Sequence, residues 1–204
     1  MGARARTVST LNALVILAGG ASTRMGQDKA SLLLSNNQTL LDYTVQNLSN
    51  LAEYVFISGS TPASNGNYAC IQDLFDDKMG PVGGIISSLI WIDQHYPLIE
   101  SVYFVAVDTP KLDAFTLKKL STINATTGSY FKNNPLPMWL KIDNKIIEIC
   151  HKILPMVKAN GGYSVKALMA DFGGFNVIGC PAENKLHNLN YREDWEKFKH
   201  ENSI

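Results

Sequence analysis

The chain of 204 residues is 46% hydrophobic, 9% aromatic and 18% charged, which excludes a disordered protein and suits a single α/β domain around one hydrophobic core. Lys and Arg number 18, as do Asp and Glu. The zero formal net charge excludes the broad basic footprint of a non-specific duplex-binding protein, so no nucleic acid is expected, although a small basic pocket remains possible.

Residues 1–10 read as a flexible extension. The basic run Met1–Arg6 leads into an apolar stretch that imitates a secretory leader, but that stretch is short, Asn12 interrupts it, and it ends in a glycine loop with a better use. Arg6 stands where a myristoylation signal would want Ser or Thr, and no segment reaches the 18 consecutive apolar residues that a bilayer span needs. Cys70, Cys150 and Cys180 show no C-x-x-C spacing and no clustered histidines, so neither a disulfide framework nor a zinc site is indicated, and a cytoplasmic location without membrane contact is expected.

Short apolar runs rich in β-branched residues alternate with stretches of helical period, the pattern of a parallel sheet covered by helices. Ala13–Leu17 predicts a buried strand. A Gly-rich loop follows, then a helix capped by Thr39 with Leu41, Val45 and Leu48 on one face. Tyr54–Ser58 and the weaker Ala69–Ile71 predict the next strands, and an acidic, Gly-rich loop leads to a helix carrying Ile85, Leu89 and Ile92. Ser101–Val107 predicts another buried strand, ending at Asp108-Thr109-Pro110, and Asp113 or a neighbour starts the next helix. Residues 128–149 then read as short antiparallel strands meeting at a turn around Asp143-Asn144. Helices at 150–158 and 163–171, a strand at 174–179 and a helix from Glu193 to His200 complete a three-layer, Rossmann-like α/β domain spanning 1–204, its sheet mostly parallel with a small antiparallel insertion.

The loop Leu17-Ala18-Gly19-Gly20-Ala21-Ser22-Thr23-Arg24-Met25-Gly26-Gln27-Asp28-Lys29 leaves the first strand at the carboxyl edge of the sheet, where open α/β folds bind ligands. Adjacent glycines let the backbone approach a bound group, and Arg24 and Lys29 supply the charge that a polyphosphate demands. Five residues separate Gly20 from Gly26 and Lys29 comes three later, so this is neither a Walker A loop nor G-x-G-x-x-G. Asp28 is expected to orient Lys29 by ion pairing. Asp76 and Asp77 read as a solvated loop, His95, His151, His187 and His200 as surface or packing residues, and Trp91, Trp139 and Trp195 as core or interface.

The match L-A-G-G-x-S-x-R-M-G-x-D-K is far more specific than its glycines and resembles the signature of the MobA-like nucleotidyltransferases, in particular their molybdenum cofactor guanylyltransferase branch. Gly80-Pro81-Val82-Gly83-Gly84 is similar to the family's G-P-[LV]-x-G loop, Asp108-Thr109-Pro110 to its D-T-P, and Asn188-Leu189-Asn190 with Glu193-Asp194 to its terminal N-x-N-T-P-E-D. The resemblance implies transfer of GMP from GTP to the phosphate of molybdopterin cofactor, with release of pyrophosphate. It also implies Mg²⁺ on Asp108, Arg24 and Lys29 on the outer phosphates, and Leu17, Ala18, Gly19 and Gly20 at the base and ribose. Ser58 and Asp73 would contact the nucleotide, and Gly80, Pro81, Gly83, Asn188 and Asn190 would stand on the acceptor side. Molybdoenzyme apoproteins or cofactor-delivery proteins are the implied partners.

Departures fall mainly on the acceptor side: Val107 before Asp108, Leu136-Pro137 for His-Pro, Tyr191-Arg192 for Thr-Pro, and no arginine in Asn160–Ser164. Ser58 replaces an asparagine at the end of the second strand. A CTP-dependent transferase on the same cofactor, a sugar- or polyol-phosphate nucleotidyltransferase, and a nucleotide-binding accessory protein are the competing readings. Gly19-Gly20 after Leu17-Ala18 leans toward guanine.

Overall fold

Leu11–Leu17 forms β1, buried from Ala13 onward, and its side chains divide by parity as a strand covered on both faces must. Ala13, Val15 and Leu17 enter one core and Leu14 and Ile16 the other. The computed structural model describes residues 11–19, 28–59, 68–75, 79–160 and 162–201. After β1 come α1 (Leu40–Leu48), β2 (Tyr54–Ser58), β3 (Ala69–Ile71), α2 (Gly80–His95), β4 (Ile99–Ala106) and α3 (Ala114–Ser121). The second half adds β5 (Gly128–Phe131), β6 (Asn134–Lys141), α4 (Asn144–Asn160), α5 (Val165–Phe172), β7 (Phe175–Ile178) and α6 (Arg192–Glu201).

The strands form one seven-stranded sheet in the order β3-β2-β1-β4-β6-β5-β7. β6 runs antiparallel to both neighbours, and the other pairings are parallel. The core holding Val15 contains Ile85 and Leu89 of α2 and Ile153 and Val157 of α4, whereas the core holding Ile16 contains Leu41 and Val45 of α1, Leu117 of α3 and Trp195 of α6. Each fully buried aliphatic side chain stabilises the fold by about 1.5–3 kcal/mol.

Helix starts are written in the sequence. Thr39 accepts the N–H of Asp42 at 3.0 Å, and Asp113 accepts that of Thr116 at 2.8 Å. The turn expected around Asp143-Asn144 is instead another such start: Asp143 accepts the N–H of Ile146 at 2.9 Å, and α4 begins six residues before the expected position 150. The β5–β6 hairpin turns at Lys132-Asn133, where Asn133 takes a φ of 67°, a left-handed conformation that asparagine tolerates better than most residues.

The β1-to-β2 connection carries α1 on one face of the sheet, and the β3-to-β4 connection carries α2 on the other. The chain therefore reverses its winding between β1 and β4, opening a crevice at their carboxyl ends, the topological switch point of an open α/β sheet.

Candidate functional site at the carboxyl edge of the sheet

The sheet's hydrogen bonding continues past the last residues of the strands and fixes the floor of this crevice. The Val107 N–H donates to the Leu17 carbonyl at 3.1 Å and the Ala18 N–H to the Ser58 carbonyl at 2.9 Å, so Leu17, Ala18 and Gly19 leave β1 held on both sides. Gly59, just beyond β2, has a φ of 114°, and a Cβ there would lie 2.6 Å from the Gly19 nitrogen and 2.7 Å from its Cα. Only glycine allows this approach. The buried Ser58 hydroxyl donates to Asp73 Oδ1 at 3.4 Å, and behind it a Cβ on Gly84 would come within 2.7 Å of that hydroxyl and 3.0 Å of a Leu17 methyl. Gly19, Ser58, Asp73 and Gly84 thus form one cluster over the ends of β1, β2 and β3.

A second cluster lies at the other side of β1. Asp108 follows β4, and its Oδ2 accepts from Lys29 Nζ at 2.8 Å in a pair whose side chains are each only 17% exposed. The Lys29 ammonium also donates to Asn190 Oδ1 at 3.3 Å, and the Leu189 N–H donates to the Asp108 carbonyl at 2.7 Å. The closing segment of the chain is therefore tied to both members of the ion pair. Asp108 Oδ1 is buried and lacks a hydrogen-bond partner among the described residues. An anionic oxygen in that state is costly unless a donor or cation meets it. Among the described residues no three His, Cys, Asp or Glu side chains gather into a metal-binding group. The unpartnered Asp108 oxygen itself fits a hard cation that takes one protein carboxylate and completes its shell with phosphate oxygens and water, as Mg²⁺ does.

Asp28 does not pair with Lys29. Its carboxylate instead accepts the Ala30 N–H at 3.1 Å, capping the short turn Lys29–Ser31, and Lys29 finds Asp108. Gly80 and Pro81 stand exposed at the start of α2, where Met79 provides no side-chain cap. Gly83 is packing: a Cβ there would lie 2.9 Å from Met79 Cβ and 3.3 Å from the Phe75 ring. Asn188 is exposed. Arg24, Gly20, Asp76 and Asp77 lie outside the described residues, as do residues 1–10. Trp139 and Trp195 are buried and Trp91 packs on Phe56, as expected of core residues. Cys150 is buried, which pushes its thiol up to about 12 and leaves it protonated and unreactive.

Two contributions escape sequence reading. Gly59 shows only as a glycine after a strand, and its close approach to Gly19 depends on strand order. His187 is exposed, as its reading as a surface residue expects, but the placing of its Nε2 3.6 Å from Asp194 Oδ1 beside the closing segment is not written in the sequence. Hydrogen bonding from the Tyr191 N–H first, then from Asn190 and His187, holds the Asp194 carboxyl below the usual aspartate range.

Residues 14–129 match the model of the MobA-like NTP transferase domain. The chain belongs to this family. A molybdenum cofactor guanylyltransferase from Xanthomonas euvesicatoria is 34% identical over 195 residues, covering 92% of this chain and 94% of that protein. Among solved structures, molybdopterin-guanine dinucleotide biosynthesis protein A from Archaeoglobus fulgidus aligns with a TM-score of 0.69 at 15% identity, covering 94% of this chain and 98% of its own. The 4-diphosphocytidyl-2C-methyl-D-erythritol synthase from Anaerococcus prevotii aligns with a TM-score of 0.66 at 12% identity, covering 96% and 97%. Both structures share the fold of this MobA-like chain. A frame common to a guanine-named and a cytidyl-named protein does not choose the base.

Proposed function

We propose that this MobA-like chain transfers GMP from GTP to the terminal phosphate of molybdopterin cofactor. An oxygen of the acceptor phosphate forms a bond to the α-phosphorus of GTP, the bond from that phosphorus to the oxygen bridging the β-phosphate breaks, and pyrophosphate leaves. The observation that carries the reading is the Lys29–Asp108 pair at the switch point, with its second carboxylate oxygen unpartnered among the described residues. The length-spanning likeness to a relative named molybdenum cofactor guanylyltransferase supports the choice of donor and acceptor.

The attacking oxygen is already anionic, so the protein's task is alignment and charge compensation and not nucleophile activation. Asp108 would hold Mg²⁺, which when bound supplies positive charge to the phosphate oxygens. Lys29 would turn its ammonium from Asp108 toward the outer phosphates, joined there by Arg24. The backbone from Leu17 to Gly20 would face the base and ribose, with Ser58 and Asp73 as polar contacts and Gly59 keeping that wall close. Asn190 would fix Lys29, and Gly80, Pro81 and Asn188 are assigned to the acceptor side, with Gly83 serving the packing of α2 behind them. The enzyme would work in the cytoplasm and hand its product to molybdoenzyme apoproteins or delivery proteins; among the described residues no helix is long and apolar enough to cross a membrane.

Calorimetry with GTP, CTP, ATP and UTP in the presence of Mg²⁺ tests the nucleotide. The proposal expects clear preference for GTP; preference for CTP would move the chain to a cytidylyl reaction, and binding of none of the four would overturn the nucleotide assignment.

A further inference from the structure

The closing segment offers a route by which a residue outside the crevice sets the position of Lys29. α6 starts at Arg192, so Tyr191 is its cap position and Asp194 its third residue. Asp194 Oδ2 accepts the Tyr191 N–H at 3.0 Å and the Asn190 N–H at 3.1 Å. The first bond is the acidic half of a capping box. The other half, a short hydroxyl or amide side chain at the cap position reaching into the helix, is not available from tyrosine. The second bond reaches one residue further and holds the backbone of Asn190, whose side-chain oxygen accepts from Lys29 Nζ at 3.3 Å. One residue earlier, the Leu189 N–H is fixed to the Asp108 carbonyl at 2.7 Å. A single carboxylate therefore anchors the backbone from which Asn190 reaches the ammonium.

We infer that Asp194 is a positioning residue, which through Asn190 aims Lys29 at the outer phosphates of the nucleotide; this rests on the guanylyltransferase reading above. Helix capping alone would make Asp194 a contributor to stability and nothing more. The two roles separate because Asp194 holds two different N–H groups: the Tyr191 N–H belongs to the helix start, and the Asn190 N–H belongs to the path to Lys29. His187 faces the other oxygen, Asp194 Oδ1, at 3.6 Å and is not on that path.

The test uses the full chain with two readouts: the ¹⁵Nζ resonance of Lys29, assigned by its loss in Lys29→Arg, and the ratio of GTP to GMP affinity by calorimetry. Asp194→Ala is expected to shift or broaden the Lys29 resonance and to cut the GTP-to-GMP ratio about tenfold, the worth of one lost charge-assisted hydrogen bond. Asp194→Asn, which keeps an accepting oxygen, is expected to retain most of both. The double variant Tyr191→Thr/Asp194→Ala supplies a new helix cap and should regain melting temperature without regaining the Lys29 signal or the ratio. If that double variant restores all three, or if Asp194→Ala lowers melting temperature and leaves Lys29 unchanged, Asp194 only caps the helix. If the unsubstituted protein binds GTP no better than GMP, the phosphate assignment of Lys29 fails, while the Lys29 resonance still decides whether Asp194 positions it.

Discussion

The two halves of the chain build the crevice in different ways. From β1 to Asp108 most contributions sit at strand ends: Leu17 closes β1 and Gly19 follows it, Ser58 closes β2 and Gly59 follows it, Asp73 lies beyond β3 and Asp108 beyond β4, while Lys29 comes from the short turn Lys29–Ser31 and Gly84 from α2. The strand-end positions are rigid because the parallel ladder extends into the loops, as in the Val107-to-Leu17 and Ala18-to-Ser58 bonds. The second half turns the sheet around with antiparallel β6 and packs α4 and α5 on one face, then brings its closing segment to the Lys29–Asp108 pair. That segment touches Asp108 through a backbone N–H and Lys29 through Asn190. The first half supplies charges on a fixed frame, and the second half holds those charges in place.

Several substitutions would break or sharpen this division. The largest effect belongs to the first half. Asp108→Asn should lower Mg²⁺-dependent pyrophosphate release by at least about 100-fold, since it removes the only charge assigned to the cation. Its melting temperature should stay close to that of the parent protein, and undiminished turnover would remove Asp108 from the reaction. Gly59→Ala should cost about 2–3 kcal/mol in urea unfolding, because the new Cβ meets Gly19 at 2.6 Å and the φ of 114° disfavours any side chain. A loss of only a few tenths would mean that the β1 and β2 exits are softer than drawn here.

Lys29→Ala should weaken GTP binding about tenfold more than GMP binding, since its ammonium is assigned to the outer phosphates, and equal losses would place it elsewhere. The smallest effect belongs to the second half and to acid. Asp194 is held below the usual aspartate range by the Tyr191 N–H, so its stabilising contribution is complete above the unfolded value of about 3.9 and is lost as pH falls through the lower folded value. Asp194→Asn should therefore show a shallower loss of stability on acidification than the parent protein. Parallel acid profiles would show that the Asp194 charge adds nothing beyond hydrogen-bond acceptance.

The same division governs what can be read from the residues alone. β2 and β3 are expected at 54–58 and 69–71 and lie there, because a short apolar run rich in β-branched or aromatic residues and closed by Gly or polar residues favours a strand, β3 taking the sheet edge with only Ile71 fully buried. Lys29 and Asp108 each stand in a short motif that singles them out, and the structure pairs them across 79 positions, whereas residues 20–27 of the glycine loop lie outside the described residues. In the second half, Asp143-Asn144 fits both a hairpin turn and a helix cap. The buried series Ile146, Ile147, Cys150, Ile153 and Val157 decides for the helix once it packs against α2. The bond from Lys29 to Asn190 spans 161 positions and the approach of Gly59 to Gly19 depends on strand order, so neither leaves a local signature. Asp28 shows the converse: adjacency suggested a partner for Lys29, but capping the Ala30 N–H was the nearer use of its carboxylate.

The central claim is tested most directly by mass spectrometry of the products after incubating the chain with GTP, Mg²⁺ and molybdopterin cofactor. The expected products are the guanine dinucleotide form of the cofactor and pyrophosphate in equal amounts, both absent with Asp108→Asn. Formation of a cytidine dinucleotide when CTP replaces GTP, with no guanine product from GTP, would contradict the claim.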